Sequence, residues 1–480
     1  MQDICNYEEE LQQATAQRKS AVELINIINE LWYENSTELV LFRNTLIDKT
    51  VSQVLNLMNY SRDFVNKPIQ ISRVLSVAKA VKQSSEMPAR IDLGKLSYES
   101  MLENISEEDI LGFVNDNISR NVSSKAISPK DVVLYGFGRI GRLLARELMV
   151  KLGSGQQLRL RAIVTRGTIN QEVLEKRASL LMTDSVHGDF NGTVEVDASK
   201  NALIINGTTV YIISANAPED IDYTQYGIED ALVIDNTGAF RDDEALARHL
   251  KSKGAHRVLL TAPGKGVPNI VHGVNHTDHD PEKVDIFSAA SCTTNAITPV
   301  LKVIEEEFGI KKGHLETIHA YTNDQNLVDN MHNKYRRGRA AGLNMVITET
   351  GAGKAVSKAL PALEGKLSSS AIRVPVPNGS LAILNLQLNK ETTRDNVNEL
   401  LKEAALNGGL VEQIKYEINN ELVSSDIIGS SAPSIVDSNA TIADGDTIVL
   451  YIWYDNEYGY SHQVMRLAKY VAKVRRHTYY

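Results

Sequence analysis

The chain has 480 residues, of which 42% are hydrophobic and 23% charged, with a net charge of −9. That length suits roughly two or three domains. The composition excludes a disordered chain and a collagen-like repeat and, with Cys5 and Cys292 the only cysteines, a disulfide scaffold.

The opening, Met1-Gln2-Asp3-Ile4-Cys5, leads into Glu8-Glu9-Glu10 and lacks the basic start and apolar core of a signal peptide. No apolar stretch approaches the roughly 20 residues that cross a bilayer. The acidic surplus offers no basic surface for phosphate neutralisation. A cytoplasmic protein with no nucleic-acid and no membrane partner is expected.

Residues 1–127 stand apart in composition. They hold two of the 30 glycines (Gly94, Gly112), two of the 12 prolines (Pro68, Pro88) and none of the 11 histidines, with 13 Lys+Arg against 18 Asp+Glu. This predicts an all-α segment ending near Ser128-Pro129, because glycine interrupts helices. Leu11, Ala14, Ala21, Leu24, Ile25, Ile28 and Leu31 recur at three- and four-residue intervals, one helix face. Ser36 reads as the N-cap of a second helix carrying Leu39, Leu46, Val51, Val54 and Leu57. Ser106, before Glu107-Glu108-Asp109, opens another, with Ile110, Leu111, Val114 and Ile118 inward. Roughly four to six helices are expected.

From Asp131 short apolar runs alternate with helical patterns. Asp131–Tyr135, Leu158–Val164, Ala231–Asp235, Arg257–Thr261 and Val284–Ala289 read as buried strands, and Asn206-Gly207 as the turn of a tight hairpin. The alternation predicts an α/β fold with a doubly wound, mostly parallel sheet.

Gly136-Phe137-Gly138-Arg139-Ile140-Gly141 has the G-x-G-x-x-G spacing between the first strand and a helix. Gly136 permits the tight turn, Gly138 lets backbone approach a pyrophosphate, and Gly141 lets helix and strand pack closely. The anion would rest on the helix N-terminus. A plain glycine turn is the alternative. The second strand ends Thr165-Arg166, without the usual carboxylate for a ribose 2′-hydroxyl. Arg166 is either a partner for a 2′-phosphate, which leans to NADP or dual use, or a solvated loop residue.

Ser291-Cys292-Thr293-Thr294-Asn295 joins a strand end to a helix start, where the dipole favours a thiolate nucleophile. A small buried cysteine is the plainer alternative. A base must complete the site, and His319 ends the strand candidate Leu315–Ile318. A surface or structural histidine is the competing reading.

GFGRIGR at Gly136–Arg142, SCTTN at Ser291–Asn295, HAYTNDQ at His319–Gln325, RRGRAA at Arg336–Ala341, TGAGKA at Thr350–Ala355, IRVP at Ile372–Pro375 and WYDNEYGYS at Trp453–Ser461 occur in one order over residues 129–480. Together they resemble phosphorylating glyceraldehyde-3-phosphate dehydrogenase. The resemblance implies a Rossmann-type NAD(P)-binding domain at 128–292, completed by a C-terminal helix at 457–480, and a catalytic domain with an antiparallel sheet at 293–456. Residues 1–127 lie outside it, as a helical extension whose partner, if it has one, is unknown.

The resemblance further implies Cys292 as nucleophile and His319 as base. It implies cofactor contacts at Gly136, Gly138, Arg139, Ile140, Gly141, Thr165, Arg166, Asn236, Thr237 and Asn456, with Asn456 on the nicotinamide carboxamide. Thr322 and Arg373 would hold the substrate's C3 phosphate. Ser291, Thr293, Thr350 and Gly351 would hold inorganic phosphate. The substrates implied are glyceraldehyde 3-phosphate and inorganic phosphate, the cofactor NAD or NADP, the assembly a homotetramer, and no metal.

The chain departs from the family in places. Thr165 stands where most NAD-using members are acidic, and Asn330-Met331 where Leu-Pro is common; both resemble NADP-accepting members. Asn216 replaces an arginine that can contact the adenosine ribose, and Val376 and Gly379 replace the usual Thr and Val. Two other functions stay open: oxidation of erythrose 4-phosphate by the same Cys–His pair, whose enzymes usually lose the Thr350–Ala352 motif, and a non-catalytic regulatory protein on this fold.

Overall fold

The computed structural model describes residues 7–65, 67–84, 88–119 and 127–479; Cys5 lies outside them. The chain divides into two compact units. One comprises Met1–Pro129, Leu152–Gln157 and Val474–Tyr480, and the other Lys130–Lys151 and Leu158–Lys473.

In the first unit the described residues hold five helices, within the number expected: α1 (Tyr7–Asn35), α2 (Val51–Val65), α3 (Ile71–Ser84), α4 (Leu93–Leu102) and α5 (Ile110–Ser119). Leu24, Ile28 and Trp32 of α1 and Val74, Val77, Ala78 and Val81 of α3 form a core with Leu39, Leu41, Ile91 and Leu96. The all-α expectation needs amending, because a small sheet runs through this core. Its order is β2 (Asn44–Thr45), β1 (Glu38–Leu41), β3 (Ala89–Asp92), then a strand from the C-terminal tail, His477–Tyr479.

Ser36 is therefore no N-cap. It takes a left-handed conformation (φ 53°) just after α1, and β1, buried at all four residues, follows. A run of consecutive apolar residues has no period that separates strand from helix. The turn from β1 to β2 places Phe42 and Arg43 at φ 41° and 70°. Asp92 holds it, its carboxylate accepting from Phe42 N at 2.8 Å, Arg43 N at 2.9 Å and Lys95 N at 3.1 Å, the last capping α4.

The tail differs from expectation as well. The C-terminal helix stops at Val471, Lys473 turns left-handed (φ 58°), and His477–Tyr479 pairs parallel to Ala89–Ile91. Arg476 lies 4.6 Å above the Trp32 ring, and the Tyr479 hydroxyl donates to Glu99.

The second unit holds two eight-stranded sheets. In the first, Ile286–Ser288, Ala255–Leu260, Ala231–Asp235, β4 (Lys130–Tyr135), β5 (Leu158–Thr165) and Thr208–Ser214 run parallel, and Ala202–Ile205 and Val194–Asp197 complete it antiparallel. The hairpin turn is Asn206-Gly207, at φ 47° and 76°. β4 is followed on one side by β5 and Thr208–Ser214 and only then, on its other side, by Ala231–Asp235, so the strand order reverses beside β4 and a crevice opens at its C-terminal end. Helix α6 (Arg139–Val150) starts at that crevice.

The second sheet is mixed rather than purely antiparallel. Ile310–Ala320 runs parallel to Leu367–Val374 and antiparallel to Ser380–Leu388, which pairs antiparallel with Thr447–Tyr454. The parallel register sets His319 beside Arg373.

Candidate active site

The three loop glycines differ in what they permit. Gly136 sits at φ 105°, a conformation side chains disfavour. A Cβ on Gly141 would lie 2.5 Å from the Gly136 carbonyl oxygen, so helix and loop touch there. A Cβ on Gly138 would meet nothing within 4 Å. That open face, at the side-chain-free N-cap of α6, is the cradle a pyrophosphate needs. Ile140 is the second residue of α6 and half-buried.

Arg139 does not turn its side chain to this cradle. Its Nε and Nη2 donate to Glu457 at 2.5 and 2.6 Å, and Nη1 donates to Asp184 at 3.1 Å. Burial opposes the charge on Glu457, but Arg139 and His187 outweigh it and hold the carboxyl below its ordinary value. Burial likewise opposes the charge on Asp184, which the His187 and Val186 N–H groups and Arg139 pull down to about 2.

Thr165 is buried at the end of β5, its hydroxyl without a hydrogen-bond partner among the described residues, and Arg166 beside it is exposed. Asn236 Oδ1 is also buried and unpartnered, while its Nδ2 donates to Ile234 O at 3.0 Å; Thr237 bonds Asp235. Buried polar atoms left open in this way fit a polar ligand at the crevice. Asn456 Oδ1 accepts from Ser380 Oγ at 2.8 Å, and Ser380 Oγ itself accepts from Ala320 N at 3.1 Å.

Cys292 stands at the first position of the helix Cys292–Phe308, with Ser291 as N-cap accepting from Thr294 N. Ala290, two residues earlier, is left-handed at φ 55°, a strained backbone that costs on the order of 1 kcal/mol. The Tyr460 hydroxyl donates to the Ala290 carbonyl at 2.9 Å and holds that turn. Cys292 Sγ is 3.4 Å from His319 Nε2. His319 Nδ1 is 2.7 Å from the Ala320 carbonyl oxygen, which also accepts from Arg373 Nη1 at 2.8 Å. Arg373 Nη1 is also 2.6 Å from Nδ1, so two tautomers have partners: Nδ1–H donating to that oxygen leaves the Nε2 lone pair facing sulfur, as a base requires, whereas Nδ1 accepting from Arg373 puts the proton on Nε2.

The electrostatics differ from a simple helix-dipole reading. Burial pushes the Cys292 thiol up, and the Arg373 charge offsets only part of this. Burial first, then Arg373, lowers His319 to about 3, so the imidazole is neutral at rest.

Thr293 Oγ1 is 3.0 Å from the Tyr454 hydroxyl, which also reaches Thr317 Oγ1 at 2.8 Å, and the Tyr454 ring meets His319 edge-on at 5.9 Å. The sequence alone does not single out Tyr454, Ser380 or Glu457. Tyr454 and Glu457 lie inside the WYDNEYGYS motif, but nothing in its spacing reports which hydroxyl or guanidinium they meet.

The fold thus brings Cys292, His319 and Arg373 into one group. Thr322, Thr350 and Gly351 form no hydrogen bond with that group among the described residues. Thr322 is half-buried, Thr350 Oγ1 accepts from Ala352 N at 3.2 Å, and Gly351 caps a short helix, Ala352–Ala359.

Comparison with known proteins agrees with this geometry. Residues 130–243 match the family model "Glyceraldehyde 3-phosphate dehydrogenase, NAD binding domain", and residues 291–456 match "Glyceraldehyde 3-phosphate dehydrogenase, C-terminal domain". A glyceraldehyde-3-phosphate dehydrogenase-like protein of Pseudomonas aeruginosa is 48% identical over 456 residues, 94% of this chain and 98% of that one. Glyceraldehyde-3-phosphate dehydrogenase 2 of a Nostoc strain is 41% identical, and glyceraldehyde-3-phosphate dehydrogenase 1 of Bacillus subtilis 40%; each match covers 71% of this chain and 98% of the relative. The Pseudomonas match, at 456 residues, thus reaches into the N-terminal extension. The chain belongs to the glyceraldehyde-3-phosphate dehydrogenase family.

Proposed function

We propose that the chain oxidises D-glyceraldehyde 3-phosphate with inorganic phosphate to 1,3-bisphosphoglycerate, reducing NAD or NADP. The observation that carries this is Cys292 Sγ at a helix N-terminus, 3.4 Å from His319 Nε2. The thiol gives its proton to Nε2 as sulfur bonds the aldehyde carbon, forming a hemithioacetal. The Cys292 backbone N–H and His319 stabilise the oxyanion. When bound, the dinucleotide supplies the acceptor for the hydride lost from that carbon, which leaves a thioester on Cys292. A phosphate oxygen then attacks the thioester carbon, the C–S bond breaks, and the acyl phosphate departs. Arg373 supplies a half-buried cation for the substrate phosphate, and the hydroxyls of Ser291, Thr293, Thr322 and Thr350 supply donors for the two anions.

Gly138, Ile140, Asn236 and Asn456 would hold the dinucleotide. The partner-free Thr165 hydroxyl and the exposed Arg166 at the end of β5, with no carboxylate there, support acceptance of NADP. Homotetramer formation is supported by an apolar surface on 327–347, where Leu327, Met331, Tyr335 and Leu343 are each more than four-fifths exposed. A cytoplasmic setting is proposed from cysteine usage alone.

Assay of the purified chain with each dinucleotide, with and without inorganic phosphate, tests this reading. Strict phosphate dependence with the triose phosphate is expected. Faster turnover of erythrose 4-phosphate without phosphate dependence selects the sister reaction. Unchanged turnover in Cys292→Ser removes the nucleophile assignment.

A further inference from the structure

The backbone that presents Cys292 depends on a side chain from far along the chain. Ala290 is buried and left-handed at φ 55°, a region that only glycine enters freely. Its N–H donates to Ser288 Oγ at 3.1 Å, and the carbonyls around it are bonded as well. The Ala289 and Ser291 carbonyls accept from Asn295 Nδ2 at 2.7 and 3.0 Å, and the Ala290 carbonyl accepts from the Tyr460 hydroxyl at 2.9 Å. Asn295 Oδ1 in turn accepts from Gln463 Nε2 at 3.2 Å. Tyr460 and Gln463 stand on one face of the helix Tyr458–Val471, which therefore grips the turn at two points.

The two points differ in reach. Asn295 belongs to the helix that Cys292 opens, so its bonds to Ala289 and Ser291 are local. Only the Tyr460 hydroxyl, 170 residues on, reaches the left-handed residue itself. Burial keeps the phenol far above its ordinary range, so it stays protonated and donates. Without that hydroxyl the buried Ala290 carbonyl is left unpaired while the strained φ remains, and rotating the peptide after Ala290 relieves both costs at once. The same rotation moves Cys292, whose Sγ sits 3.4 Å from His319 Nε2.

We propose that Tyr460 is a positioning residue for Cys292: its hydroxyl holds Ala290 left-handed and so aims the sulfur at His319. It acts through the backbone of the turn. The inference deepens the proposed function and rests on its Cys292–His319 pair.

Alkylation of Cys292 by iodoacetamide near neutral pH reads that pair without dinucleotide or substrate, in the full chain with Cys5 replaced by Ser. In the parent, His319→Asn is expected to slow the reaction about tenfold, because the thiol loses its base. In Tyr460→Phe, which keeps the ring, the same substitution is expected to change the rate by less than about twofold, because the two effects are no longer independent. In Ala290→Gly/Tyr460→Phe the full effect of His319→Asn is expected to return, because glycine takes a left-handed conformation unaided. A chain that needs Tyr460 for stability alone would shift its unfolding midpoint and keep the His319 effect intact. That outcome, or an effect that glycine does not restore, overturns this inference alone. So does a Tyr460→Phe chain that does not fold. No effect of His319→Asn in the parent overturns the Cys–His reading and this inference with it.

Discussion

Arg139 at the start of the glycine-loop helix and Glu457, next to Asn456, are joined by two charge-assisted hydrogen bonds of 2.5 and 2.6 Å. The pair spans 318 residues of sequence and ties the glycine loop to the segment that would read the nicotinamide. It also commits the Arg139 charge, so binding of an anion at the loop would fall to backbone N–H groups and the helix dipole.

Replacing Glu457 by Gln should leave Arg139 with one carboxylate and loosen the spacing between cradle and Asn456. We expect binding of the whole dinucleotide, read by calorimetry, to weaken about tenfold, about 1.4 kcal/mol. Binding of ADP-ribose, which lacks the nicotinamide, should change by less than about twofold. Equal losses for both ligands would mean that the pair acts only on the cradle.

The glycines offer a contrast within one loop. Gly138→Ala has open space for its methyl group and should leave the unfolding midpoint unchanged while weakening dinucleotide binding. Gly141→Ala must displace backbone and should destabilise the fold by about 1–3 kcal/mol. Urea denaturation and calorimetry on both variants check this; a Gly138→Ala protein that binds normally would remove the cradle from the site.

Acid should destabilise the protein through its buried histidines. Burial lowers His319 to about 3 and His462 to about 4, from an ordinary 6.5. Between those values the unfolded chain binds protons that the folded chain refuses. Stability is therefore full above pH 6.5 and falls as pH drops toward 4, by about 1.4 kcal/mol per pH unit for each histidine. His462→Gln should reduce that slope, which urea midpoints across the window would report; an unchanged slope would place the loss elsewhere.

The tail strand should matter to the N-terminal unit. Tyr479 is buried, and its hydroxyl meets Glu99. Tyr479→Ala is expected to cost about 3 kcal/mol of that unit's stability. Trp32 fluorescence, read in a Trp453→Phe background, follows its unfolding. A midpoint identical to the parent would show that the strand contributes nothing.

Much of the site was legible because its chemistry is local. Gly136–Gly141 spell a turn, an open N-cap and a close contact through the presence or absence of one carbon, and Cys292 announces itself by standing where a strand ends and a helix begins. His319 was legible only by position, since its contact with Cys292 depends on where the Ile310–Ala320 strand lies. The loop spacing points Arg139 towards the cofactor, but its side chain turns to Glu457 instead. Ser36 looked like a cap because the apolar run after it has no period, and burial on both faces made that run a strand.

The sequence by itself determined the elements that rest on backbone chemistry and short periods: the glycine loop, the Asn206-Gly207 hairpin, the first helix of the N-terminal segment and the helix start at Cys292. Only the tertiary structure decided the pairings between distant segments. These include the Cys292–His319–Arg373 group, the Arg139–Glu457 tie, the hydroxyl chain through Tyr454, and the return of residues 474–480 to the first unit. The reason is physical. A turn or helix start is settled by interactions within a few residues, whereas a long-range pair forms only where burying whole faces brings two segments together.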